Sequence, residues 1–131
     1  MAQNDRLLPP SDDDQAWADQ LGPAYSTAQV ARLLGVTKQA VAKRRGLLRL
    51  EQRNGTTAYP VLQFDGEHVR PGIETVVQAL ADHVATPWTI ASWLTSRQVR
   101  FDGLRPIDLL ERGDVTATVE AARQFAAALA D

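Results

Sequence analysis

A mainly α fold with one small β-hairpin is predicted, on three observations. Two short amphipathic segments meet at Gly35, an Asn54-Gly55 turn separates two β-like runs, and four capped, apolar-periodic stretches follow Gly72. The first segment starts at Ser26, whose hydroxyl can accept from a free backbone amide two or three residues on. Val30, Leu33 and Leu34 then stand at i, i+3 and i+4, the stripe of a helix with one buried face. Gly35 follows that stripe at once, where a left-handed backbone ends a helix at little steric cost. Thr37 is placed to cap a second helix, in which Ala40 and Val41 face inward. Lys38, Gln39, Lys43, Arg44 and Arg45 are left pointing away from the core. Ala31, Gly35 and Val41 occupy the three places where a helix-turn-helix packs its helices closely.

From Leu47 to Phe64 the period changes to two: Leu48 and Leu50 alternate with Arg49 and Glu51, as in a half-buried strand. Asn54-Gly55 reads as a two-residue hairpin turn because both positions accept positive φ. Thr56, Thr57 and Tyr59 favour a returning strand, which Pro60 ends. A helix-turn-helix followed by such a hairpin is a winged helix in outline, with Arg53 at the tip of the wing; a plain structural hairpin is the alternative.

Phe64-Asp65-Gly66 is expected to turn the chain again. Pro71-Gly72 opens a helix with Ile73, Val76, Val77, Leu80 and Val84 on its apolar face. Thr86 caps the next, with Pro87 at the first position, where a missing amide is harmless. Trp88, Ala91 and Leu94 line one side of it and Ile90 and Trp93 widen the stripe, which suits a core or a partner interface. A short extended stretch is expected at Val99 to Phe101, and a brief helix from Pro106 to Arg112, closed by Gly113. Asp114 caps a last helix with Val115, Val119, Ala122, Ala126 and Leu129 on one face. The architecture is thus a winged helix-turn-helix followed by a C-terminal helical bundle.

At 131 residues, 44% of them hydrophobic, the chain suits one compact domain or two small lobes sharing one interior. The absence of cysteine excludes a disulfide framework and a thiolate metal site, and His68 and His83 lie apart without a ligand pattern. No metal or cofactor is expected. No apolar run approaches the roughly 20 residues of a membrane span and no signal peptide opens the chain, so a cytoplasmic, nucleoid-associated protein is expected. Catalysis finds little support: Asp12, Asp13 and Asp14 are adjacent rather than facing, Asp65 and His68 read as a surface hydrogen bond, and neither histidine accompanies a nucleophile. The chain is expected not to be an enzyme.

Charge distribution is more informative than the net charge of −2. From Arg32 to Arg53, seven basic residues stand against Glu51 alone, giving +6 in that segment and leaving −8 for the rest. One face is thereby suited to phosphate and another is kept away from it. On the second helix, Gln39 can pair with adenine and Lys38 can reach guanine or phosphate. Arg44 is the best candidate for a bidentate contact to guanine, with Lys43 and Arg45 on phosphates. Ser26, Thr37 and Arg53 complete the expected contacts to double-stranded DNA. The expected divisions are a flexible acidic N-terminus at 1–22, a DNA-binding winged domain at 23–66 and a helical dimerisation or partner-binding domain at 67–131.

Two stretches resemble known families. Tyr25 to Val41 resembles the helix-turn-helix of small bacterial regulators, and Gly55, Tyr59-Pro60 and Gln63-Phe64 continue it in the manner of actinobacterial winged-helix proteins. Trp93-Leu94, the run Phe101-Asp102-Gly103-Leu104-Arg105-Pro106-Ile107-Asp108-Leu109-Leu110 and Gly113 are similar to the toxin-binding domain of Xre/ParS-type antitoxins. That resemblance implies an autorepressing antitoxin that neutralises a NAD-consuming RES-domain toxin, with Trp93, Phe101, Leu104, Arg105 and Pro106 toward the partner. The chain departs from that family in its winged rather than all-helical first half, and in an Ala-rich ending without the family's polar, glycine-containing one. The expected function is a homodimeric, sequence-specific transcriptional regulator, with the type II antitoxin as the alternative.

Overall fold

Period-3.6 apolar spacing becomes helix throughout the computed structural model, which describes residues 19–130. The chain enters through a helical turn at 19–21. Leu21, 8% exposed, joins the interior, and Gln20 Nε2 donates to Thr95 Oγ1 at 2.6 Å. Gln20 and Leu21, within the stretch expected to be flexible, are thus tied to the body of the chain. The acidic run Asp12-Asp13-Asp14 and the expected short helix through Trp17 lie outside the described residues.

Helix α1 (Thr27–Leu34) begins at a full capping box: Ser26 Oγ accepts from Gln29 N at 3.1 Å and Gln29 Oε1 accepts from Ser26 N at 2.8 Å. It ends at Gly35, φ 70°, with Val36 N donating to Ala31 O and Gly35 N to Arg32 O, so the left-handed residue satisfies the last carbonyls. Helix α2 (Lys38–Lys43) starts three residues later, its Thr37 cap accepting from Ala40 N at 3.0 Å. Val30, Ala31 and Val41 are buried between the two helices.

Strands β1 (Ala24–Tyr25), β2 (Leu50–Glu51) and β3 (Thr57–Pro60) form an antiparallel sheet in the order β1-β3-β2. Tyr25 pairs with Tyr59, and Leu50 with Ala58. The expected two-residue turn at Asn54-Gly55 is instead a three-residue loop. Gln52 N donates to Thr56 O and Gly55 N to Gln52 O, and Gly55 alone takes positive φ, at 85°. Asn54 keeps an ordinary backbone because its Oδ1 accepts from Thr56 N at 3.0 Å, a side-chain turn that competes with the left-handed alternative. Strands β4 (Phe64–Asp65) and β5 (His68–Val69) make a second, two-stranded ladder after a 3₁₀ turn at Val61–Gln63.

Helices α3 (Ile73–Ala81), α4 (Pro87–Thr95), α5 (Pro106–Glu111) and α6 (Val115–Ala130) complete the chain. Thr86 caps α4 through Trp88 N, with Pro87 first in the helix, as its sequence requires. Helix α3 stops at Ala81, short of Val84, which packs from the following loop. Val99–Phe101 is a 3₁₀ turn rather than extended, closed by Asp102 at φ 56°. The Asp114 carboxylate pairs with Arg112 Nε at 3.0 Å as α6 begins.

Burial divides into two clusters where one shared interior was expected. The smaller joins Val30, Ala31, Val41, Leu47, Tyr59 and Phe64, with the Tyr25 and Phe64 rings 5.6 Å apart. The larger unites the four C-terminal helices and also takes Leu48 and Leu50, so successive residues Leu47 and Leu48 point into different interiors. Gln63, fully buried, fixes that crossing: its Oε1 accepts from Leu48 N at 2.8 Å and its Nε2 donates to Leu48 O at 2.9 Å and Pro60 O at 3.1 Å. Among the described residues, no helix is long and apolar enough to cross a membrane.

Candidate nucleic-acid interface

Short, capped and anchored on one side only, α2 has little freedom to present anything but its outer face. Val41, 1% exposed, fixes its rotation, and the Thr37 cap fixes its start. Lys38, Gln39, Ala42 and Lys43 are then exposed. Gln39 and Lys43, four apart, share a face, with Lys38 and Ala42 beside them. The remaining basic residues of the segment, Arg32, Arg44, Arg45, Arg49 and Arg53, are exposed as well. The excess of +6 read from the sequence is therefore wholly on the surface.

Several of these side chains have partners within the chain. Ser26 and Thr37 are exposed, but their hydroxyl oxygens accept the capping hydrogen bonds of α1 and α2; they position helices first. Arg44 follows the last residue of α2 and turns back onto α3. Its Nη2 lies 2.7 Å from Glu74 Oε1 and its Nε 3.3 Å from Oε2, a bidentate pair with side chains 37% and 35% exposed. One donor edge of the guanidinium, Nε with Nη2, is thus held in a tie between the two halves of the chain. Gly46 makes that approach possible, since a Cβ there would stand 2.5 Å from Glu74 Cβ.

Arg45 and Lys43 make no ion pair among the described residues, and Arg53 stands in the exposed loop of the β2–β3 hairpin. Arg49, outside the expected contact set, joins them on the surface, 3.6 Å from Glu51 Oε1 and 44% exposed. Its signal was the same period-two alternation that buried Leu48 and Leu50.

The residues expected to face a partner separate into two groups. Trp93, 7% exposed and stacked on Phe125 at 6.0 Å, and Pro106, buried at the start of α5, belong to the interior. Phe101 and Leu104 are half-buried, with the Arg100 guanidinium 5.3 Å above the Phe101 ring. Arg105 is held internally by Asp108, Nη2 to Oδ1 at 2.7 Å, while its backbone N donates to Asp108 Oδ2 at 2.8 Å. The side-chain hydrogen bond from Arg105 holds the Asp108 carboxyl below the usual carboxylate range and raises the Arg105 guanidinium in turn.

No family model matches the chain, and no curated protein matches it. The fold is similar to the NMR structure of Rv2175c, with a TM-score of 0.69 at 24% identity, covering 79% of this chain and 81% of that one. At that identity the likeness establishes architecture alone: a mainly helical chain with small antiparallel sheets.

Proposed function

We propose that the chain is a sequence-specific transcriptional regulator of winged helix-turn-helix type that lays α2 in the major groove of double-stranded DNA. The observation that carries this reading is the wholly exposed excess of +6 between Arg32 and Arg53, centred on the second helix of a tightly turned pair. Gln39 reads a base edge, Lys38, Lys43 and Arg45 hold phosphates, and Arg53 on the β2–β3 hairpin acts as the wing. Two copies related by a twofold axis set their α2 helices about 34 Å apart, one turn of DNA.

Fluorescence anisotropy on the DNA upstream of its own gene tests this. Lys43→Ala with Arg45→Ala should weaken binding to all sequences and flatten the salt dependence by about 0.9 per lost phosphate contact. Gln39→Ala should cost about 1–3 kcal/mol on the specific site only. Unchanged binding in both variants overturns the assignment of α2 to the groove.

A second reading, an antitoxin that captures a cognate RES-type toxin, is favoured by the apolar tip after α4, where Val99 is 96% exposed beside half-buried Phe101 and Leu104. Co-expression with the adjacent gene product should yield a complex that Val99→Asp disrupts. If the wild-type chain gives no complex, that reading is lost.

A further inference from the structure

A groove of about 650 Å³ runs between the segment that follows α2 and the connection from α3 to α4. Its volume lies within the roughly 300–1,000 Å³ range of sites for small organic ligands. The two walls differ in chemistry. Arg44, Arg45 and Arg49 stand on one side, with Glu51 beside Arg49; Val77, Pro87 and Trp88 stand on the other, over a floor that includes Leu48 and Ile90, both almost fully buried.

The three guanidiniums are not equivalent. Arg44 is engaged twice by Glu74, and Arg49 lies a loose 3.6 Å from Glu51. Arg45 makes no hydrogen bond or ion pair among the described residues. A cation without a partner at the edge of an apolar trough complements one kind of molecule: a flat apolar body ending in a carboxylate. Arg presents two parallel N–H donors that match a carboxylate edge. The Trp88 and Pro87 wall supplies area for a ring.

We infer that this groove binds a small aromatic or aliphatic carboxylic acid, its carboxylate on Arg45 and its apolar body against Trp88 and Pro87. A consequence rests on the DNA-binding reading above. Arg45 serves phosphate there, so the acid and DNA compete for it, and each weakens the other by the same factor.

The binding test uses 2-naphthoate, with neutral 2-naphthalenemethanol as its partner probe, titrated into the full chain without DNA. Isothermal titration and the Trp88 indole N–H resonance, assigned by Trp88→Phe, give the two readouts. The acid should bind about tenfold more tightly than the alcohol, the factor expected for one charge-assisted contact. Arg45→Gln, a surface change that spares the fold, should remove this preference while leaving the alcohol's affinity alone. Ala81→Phe, on the exposed end of α3, should weaken both probes by filling the groove. Equal affinity for acid and alcohol, a preference that survives Arg45→Gln, or an unmoved Trp88 resonance would each overturn the assignment. An acidic hexapeptide that binds where naphthoate does not would overturn it too. Competition on DNA is measured separately: a chain that binds naphthoate but no DNA retains this site and loses the regulator reading.

Discussion

Replacing Gln63 by leucine should destabilise the protein far more than a single polar residue suggests. The side chain is fully buried and makes three hydrogen bonds, all to backbone: Leu48 N at 2.8 Å, Leu48 O at 2.9 Å and Pro60 O at 3.1 Å. Leucine fills nearly the same space, so no large cavity opens and the loss is almost purely polar. A buried donor left without a partner costs about 1–3 kcal/mol, and the two carbonyls add less because each has a second lone pair. The sum is about 3 kcal/mol. For a chain of this size, that corresponds to a fall in Tm of about 10–15 °C. Gln63→Glu is a sharper control. It keeps an acceptor for Leu48 N but sets a carboxylate against two carbonyl oxygens, and should do worse than leucine. Thermal unfolding followed by circular dichroism reads all three proteins. A fall of less than about 3 °C for Gln63→Leu would show that water or a small backbone shift satisfies these groups, and would refute the bracket.

Gly46→Ala places a Cβ 2.5 Å from Glu74 Cβ and 2.8 Å from Cγ, where no rotamer change clears the clash; a loss of about 1–3 kcal/mol is expected in denaturant unfolding. Glu74→Ala, by contrast, should cost no more than about 1 kcal/mol because the pair it breaks is over a third exposed. It should also strengthen DNA binding in anisotropy titrations, since Arg44 is released toward solvent beside α2. Asp108 titrates below the usual carboxylate value near 3.9 because Arg105 stabilises its charged form. Its contribution to stability is therefore complete above about pH 4 and is lost as pH falls through the lower folded-state value. Asp108→Asn should accordingly lower Tm at pH 7 and make much less difference at pH 2.

Local chemistry made much of this legible. Ser26 with Gln29, Gly35, Thr37, and Thr86 with Pro87 are caps whose partners lie within three residues, so spacing alone identifies them. Where the deciding partner is distant, spacing has no purchase. Arg44 meets Glu74, 30 residues on, and only the folded chain shows that pair. Strand β1 is two residues long and exists because β3 runs beside it; nothing in Ala24-Tyr25 announces a strand. The Asn54-Gly55 turn departs from its sequence signal for a subtler reason. Asn54 has two local options, a left-handed backbone or a side-chain bond to the backbone two residues on, and the second prevails. Family likeness points Trp93 and Pro106 outward, whereas apolar periodicity puts Trp93 on a stripe that suits a core, and both are buried.

The size of α2 constrains how any DNA contact could work. Six residues at 1.5 Å each rise about 9 Å, fewer than two turns. With Val41 buried and Ala40 half-buried, only Lys38, Gln39, Ala42 and Lys43 face outward, and one of these is alanine. Three long polar side chains on one such helix reach only a few base pairs, whereas specific complexes generally bury about 1,000–2,500 Å² of protein surface. A lone α2 cannot supply that. Beyond the proposed Arg45 contact, a specific complex would draw the remaining area from the β2–β3 loop carrying Arg53, from a second copy on an adjacent half-site, or from both. The two sources are separable by experiment. If the loop supplies the area, Arg53→Ala weakens binding to an isolated half-site and a full site alike. If a second copy does, binding to a full site is cooperative in protein concentration and collapses when the half-site spacing is changed by about five base pairs, which turns the second groove to the opposite side of the duplex.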